Sequence, residues 1–221
     1  MNQLEEKVQQ TIQQLSQNRR LGQYVDGTLS IPQPYRGLGL IRLIVVGQDP
    51  TVKDAEGRKV IRTVLNLDRN GSVRAYIEGV CRELGIRLTE NVYATNLYKN
   101  FFVRPPTQIL ESDIFREFLD FWLPVLEEEL REFVGVPGIT LGEPVLRALV
   151  LEPASAKVQD YWGYTPEWMK GGSKPFGYVR SVDNRLKRTI FPFTHQPSLR
   201  KQFYKAKMKE YVSFVRAVAF S

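Results

Sequence analysis

At 221 residues, 43% of them apolar, the chain is long enough to close one substantial core and is expected to form a single domain spanning 1–221, with 1–39 as an N-terminal helix and loop packed on it. It has no run of about 18 uncharged apolar residues. It begins MNQLEEKVQQ, with neither a basic n-region nor an apolar h-region. A soluble, unexported, cytoplasmic protein with no membrane partner is therefore expected. The single cysteine, Cys81, excludes an internal disulfide and a thiolate cluster, and no metal or other cofactor is expected. Thirty-one Lys and Arg against 24 Asp and Glu give a formal charge of +7. Acids gather in 111–132 and bases in 180–209. The runs RSVDNRLKR (180–188) and RKQFYKAKMK (200–209) fit either an anionic partner or a solvated, solubilising face.

Leu4, Val8, Ile12 and Leu15 recur at helical spacing and predict an opening amphipathic helix, followed by a Gly- and Pro-containing loop at 26–38. The run LIRLIVV (40–46) is short and rich in β-branched residues, as expected of a strand buried on both faces. Ser72 is expected to cap a helix carrying Val73, Ile77, Val80 and Leu84, with Gly85 at its C-terminal stop. NVYATN (91–96) predicts a second strand. A helix follows from about Ser112 through Phe115, Phe118, Leu119, Trp122 and Leu126, with a kink expected at Pro124.

GITLG (138–142) predicts a third strand, with Glu143 and Pro144 opening a helix. RTIFPFT (188–194) predicts a fourth, which Pro192 assigns to an edge or an early end. Ser198 is expected to start the last helix, with Leu199, Phe203, Tyr211, Phe214 and Val218 inward. The segment 151–187, rich in Gly, Pro, Tyr and Trp, shows no clear period and is expected to hold a hairpin or surface loop. Strands alternating with helices predict an α/β fold: a three-layer αβα domain around a mostly parallel four-stranded sheet.

In open α/β sheets the ligand crevice lies beyond the carboxyl ends of the strands. Here the four strands end in Gln48 and Asp49, in Asn96, in Gly142 and Glu143, and in His195, the only histidine. Taken singly, each has a structural explanation. Asp49 before Pro50 initiates turns, Asn96 can bind loop backbone, and His195 can be a satisfied structural histidine. Gly142 and Glu143 are accounted for by the strand-to-helix turn alone. Jointly, an amide, a carboxylate, a second amide and an imidazole on one rim predict a site.

GQDPT (47–51) resembles the GQDPY motif of the uracil-DNA glycosylase superfamily, and THQPSL (194–199) resembles its closing HPSPL motif. The asparagine of VYATNL lies between them, as in that family, and the matching region spans about residues 40–200. The resemblance implies a glycosylase that flips a uracil or modified pyrimidine out of DNA and hydrolyses its bond to the sugar; no lysine stands out as a Schiff-base nucleophile, so a monofunctional enzyme is expected, and a monomer. It implies that Asp49 stabilises the oxocarbenium-like sugar and positions water, and that His195 hydrogen-bonds the departing base. Gln48 would lie beside the flipped base and Asn96 would read the pyrimidine edge. Gly47, Pro50, Ser198, Leu199, Arg200 and Lys201 would meet the DNA, with Leu199 or Arg200 as the wedge into the duplex.

The departures from the family pattern carry their own expectations. Thr51 stands where the family's tyrosine shuts out the thymine methyl, so a larger base is expected to fit. The stacking phenylalanine has no clear counterpart. Val64 or Leu65 takes its place, or Tyr98, Phe101 or Phe102 supplies the stacking. A DNA-binding module of the same fold without turnover, or an N-glycosidase acting on free nucleosides or nucleotides, are the alternatives.

Overall fold

The computed structural model describes residues 3–111 and 113–220. Its five-stranded sheet has the order β1-β3-β2-β4-β5. Strands β2 (Leu43–Gly47), β3 (Val92–Asn96), β4 (Gly138–Leu141) and β5 (Ile190–Phe193) are mutually parallel and buried along their whole length. These are the four strands expected, and Pro192 does lie on an edge strand. A fifth, β1 (Tyr35–Arg36), pairs antiparallel with β3 at the other edge. It lies in the segment expected to be loop, because two residues are too few to show an alternation of period two.

Among the described residues eight helices surround the sheet: α1 (Gln3–Gln17), α2 (Ala55–Arg58), α3 (Ser72–Leu84), α4 (Leu88–Asn91), α5 (Ile114–Glu129), α6 (Glu143–Leu149), α7 (Val158–Tyr161) and α8 (Gln202–Ala219). α1 packs against α5, and α3 packs against α8. The result is a three-layer αβα fold, the arrangement that right-handed crossovers between parallel strands produce. Among the described residues no helix is long and apolar enough to cross a membrane.

Helix boundaries follow local chemistry, with some shifts from expectation. Gly71, not Ser72, is the N-cap of α3, and Ser72 is its first helical residue. Gly85 ends that helix at φ 76°, where its N–H reaches the Arg82 carbonyl at 3.1 Å. The expected start at Ser112 lies outside the described residues. α5 itself runs uninterrupted through Pro124. Gly142 is the N-cap of α6, with a proline in the first turn, as expected. Ser198 does not start α8. It sits in a 3-10 turn (Gln196–Arg200) in which its N–H bonds the His195 carbonyl at 2.8 Å, and α8 begins at Gln202. Phe203 and Tyr211 are buried, but Val218 is 40% exposed and not part of the inner face.

The segment 151–187 is irregular, with α7, short 3-10 turns and two isolated bridges, Val150 to Asn184 and Val179 to Ile190. Its anchor is Trp162. This side chain is fully buried, stacks on Tyr211 at 4.5 Å and donates from Nε1 to the Pro192 carbonyl at 2.7 Å. Burying so large a ring with its one polar atom satisfied fixes an otherwise irregular loop to α8 and β5.

The parallel register sets the site. Gly47 pairs with Asn96, and Leu141 pairs with Phe193, so the four strands end near one level. The first residues beyond them stay tied across the sheet edge. Leu97 N–H reaches the Gly47 carbonyl at 2.8 Å, Tyr98 N–H the Gln48 carbonyl at 2.9 Å, and Gly142 N–H the Phe193 carbonyl at 2.8 Å.

Candidate functional site

The loop after β2 is held by its own polar groups. Asp49 accepts the Thr51 N–H at 2.7 Å, an Asx turn around Pro50. Thr51 Oγ1 also accepts the Phe102 N–H at 2.8 Å, which ties this loop to the segment after β3. Arg58 is buried and completes the tie. Its Nε donates to the Val52 carbonyl at 2.7 Å, and its Nη1 to the carbonyls of Phe102 and Val103 at 3.2 and 3.1 Å.

Burial pushes the Asp49 carboxyl up to about 6, against the opposing pull of Thr51 and the Arg58 charge. Turn formation alone gives no such shift, because an exposed Asx turn stabilises the ionised form. Asp49 is therefore a desolvated carboxylate held in a fixed orientation and ionised near neutrality.

His195 follows Thr194 at the end of β5. A Cβ placed on Gly142 would lie 3.5 Å from the His195 Cβ, and Gly142 has φ 95°, a conformation that suits glycine. The turn after β4 thus brings its backbone against the histidine. Desolvation by the surrounding protein lowers the His195 pKa below its ordinary value, which favours the uncharged imidazole.

Asp49 and His195 line one cavity of about 610 Å³, within the ordinary range for small-molecule and cofactor pockets. Gly47, Gln48, Pro50, Thr51, Ser198 and Lys201 line it as well, so eight of the twelve predicted site residues are brought together. Asn96, Tyr98, Leu199 and Arg200 are not on its wall. Tyr98 is buried, with its hydroxyl on the Phe115 carbonyl at 3.0 Å and its ring against Phe102 and Phe118. Phe101 and Phe102 are core residues. Leu199 packs half-buried against the core and Arg200 is exposed, both in the 3-10 turn.

Asn96 is 1% exposed, and its Oδ1 has no hydrogen-bond partner. It faces Gly47 closely: a Cβ on that glycine would stand 2.5 Å from Asn96 Oδ1 and 2.9 Å from Leu65 Cδ2. Only a glycine admits this approach. Leu65, which lines the cavity, therefore shares this point of the sheet with the asparagine. Leu65 and Asn66 both adopt left-handed backbone, φ 58° and 52°, in a turn that packs on β3. A leucine in that conformation costs about 1–2 kcal/mol, and the Asn66 Oδ1 is also buried without a partner. Of the two residues suggested in place of a stacking aromatic, Leu65 reaches the cavity and Val64 does not.

Three contributors escaped the sequence. Tyr204 on α8 is the aromatic residue on the cavity wall, and its ring meets Trp162 edge-on at 5.2 Å. Arg58 carries no local signal, since only the fold places its guanidinium among carbonyls from a distant segment. Consecutive left-handed residues at Leu65 and Asn66 had a hint only in the asparagine. Among the described residues no group of three or more His, Cys, Asp or Glu side chains is arranged to hold a metal ion. No family model matches the chain, and no curated protein matches it.

Proposed function

We propose that the chain is a DNA glycosylase that hydrolyses the N-glycosidic bond of uracil or a modified pyrimidine after the base is flipped out of the strand. The observation that supports this most is the meeting of a desolvated carboxylate and the sole imidazole, Asp49 after β2 and His195 after β5, on one cavity roomy enough for a nucleobase. A bond that breaks toward a sugar cation and a base anion needs a fixed negative group on one side and a donor on the other. Asp49 supplies the first and orients water, and His195 donates to the base oxygen as charge builds there. The order of the GQDPT, asparagine and THQPSL segments supports the same assignment.

Thr51 in place of a tyrosine favours a base larger than uracil. The Asn96 amide is the edge-reading group, and its unpaired Oδ1 is the acceptor that a pyrimidine N–H completes once Leu65 moves aside. The site of action is the cytoplasm and the working form a monomer. Oligonucleotides carrying a panel of uracil and modified pyrimidines, treated with alkali after incubation, test the proposal. Strand cleavage at one of these bases is expected, and intact strands throughout would overturn it.

A second reading, a DNA-binding module without turnover, is favoured by one observation: Asn96 stands off the cavity wall behind a turn that holds Leu65 beside it. Binding that falls steeply with salt, with no product and no change on Asp49→Asn, would decide for it.

A further inference from the structure

A second cleft of about 650 Å³ adjoins the first, and Gln48, Pro106, Thr107, Glu143 and Pro144 line both. Its floor is apolar, with Tyr98, Phe115 and Leu119 beneath and Leu151, 54% exposed, at one side. Its rim carries three arginines, Arg116, Arg147 and Arg185. Arg147 is already engaged, with Nη2 on the Glu143 carboxylate at 2.6 Å and Nε on the Ala156 carbonyl at 3.1 Å, so the one acid of the cleft is neutralised from within. The guanidiniums of Arg116 and Arg185 are exposed and have no side-chain partner among the described residues.

We propose that this cleft takes the nucleotide next to the flipped one, unstacked and single-stranded, with its base on the apolar floor and its phosphates on Arg116 and Arg185. The inference rests on the glycosylase reading for the identity of its neighbour, but its chemistry is its own. An unpaired base needs an apolar or aromatic platform, and its backbone needs cations placed along a groove. Both are present here, side by side, and the shared wall lets one strand run from one cavity to the other. A duplex keeps its flanking bases stacked and paired, so the cleft selects single strands or loops over continuous double helix.

Binding of a short fluorescent single-stranded oligodeoxynucleotide with a central uracil, measured in an Asp49→Asn background to prevent turnover, tests this. Arg116→Gln and Arg185→Gln are each expected to weaken binding several-fold and to reduce the slope of log affinity against log salt by about 0.7, the value for one lost phosphate contact on a single strand. Replacing the neighbouring nucleotide by an abasic one is expected to weaken binding to the parent protein and to have little further effect in the double arginine variant. Thermal unfolding of each variant confirms that it is folded. Unchanged slopes in both folded variants, or equal affinity for the abasic probe, would overturn the cleft assignment even where base release from the same probe by the unmutated protein continues. Lost binding in the variants without base release by the unmutated protein would keep the cleft and overturn the glycosylase reading instead.

Discussion

Two adjacent residues of β3, Thr95 and Asn96, are buried to the same degree, and the fold treats their polar atoms in opposite ways. On one face, Thr95 Oγ1 and the Tyr93 hydroxyl both donate to Glu129 Oε1 at 2.8 Å, and Lys99 Nζ pairs with the other carboxylate oxygen. Lys99 and Glu129 are each 4% exposed, yet their charges are paired and the acceptors are filled. On the opposite face, Asn96 Oδ1 has no partner, Leu65 is held in left-handed backbone, and Asp49 is desolvated up to about 6. A satisfied buried network specifies a structure. An orphaned acceptor costs about 1–3 kcal/mol, and a left-handed leucine adds about 1–2 kcal/mol. Around Asn96, strain and unmet polarity meet at the edge of the cavity, where a ligand can relieve them.

The largest effect is expected from breaking the satisfied face. Glu129→Ala leaves Lys99 as an uncompensated buried charge and should destabilise the fold by about 3–5 kcal/mol. The double replacement Lys99→Met with Glu129→Leu removes both charges and should recover much of that loss. Denaturant unfolding of the three proteins measures the difference. A single variant as stable as the parent would show that the network is dispensable and that the two faces are alike.

Next comes Asp49→Asn, on the strained face. Asparagine still accepts the Thr51 N–H but cannot oppose a sugar cation, so under the proposed glycosylase reading base release should fall by about 10²–10³-fold, as for the loss of one preorganised electrostatic group. Stability should move the other way. The folded carboxyl titrates near 6, above the ordinary unfolded value of about 3.9. The folded state therefore holds more protons than the unfolded one between these limits, and the parent loses stability as pH rises from about 4 to about 6, with no further change from this group above that. Asp49→Asn should lack this slope and melt at or above the parent temperature at pH 7, while the parent's base release should fall as pH drops below about 6. Melting scans across pH and single-turnover rates read both effects.

Much of this contrast was legible in the sequence and part of it was not. Strands β2 and β5 showed as continuous apolar runs because each is buried along its whole length, and the residues closing them, Asp49 and His195, stood out because polar groups interrupt those runs. The cavity follows from the parallel register, which any such sheet shares. The edge strand Tyr35–Arg36 is too short to carry a period, and Ser198 resembles a cap yet lies within a 3-10 turn. Tyr204, Arg58 and the backbone of Leu65 depend on segments distant in the chain, so no local pattern announces them. Tyr98 illustrates the converse: its position just after Asn96 suggested a stacking group, but the rings of Phe102, Phe115 and Phe118 claim it for the core.

The smallest effect separates side chain from backbone at Leu65. Leu65→Ala removes the apolar contact and keeps the left-handed cost, whereas Leu65→Gly removes both, because glycine has no Cβ to clash in that conformation. In a helix interior Ala is the more stabilising residue by about 1 kcal/mol. At position 65 the order should reverse, with Gly more stable than Ala by about 1 kcal/mol. Denaturant midpoints at equal m-values test it. Both variants should also uncover the Asn96 amide, and affinity for the free pyrimidine should rise in each to a similar extent. If Gly and Ala unfold in the ordinary order and neither changes base affinity, Leu65 is packing like any other leucine and the strained face loses its claim to a purpose.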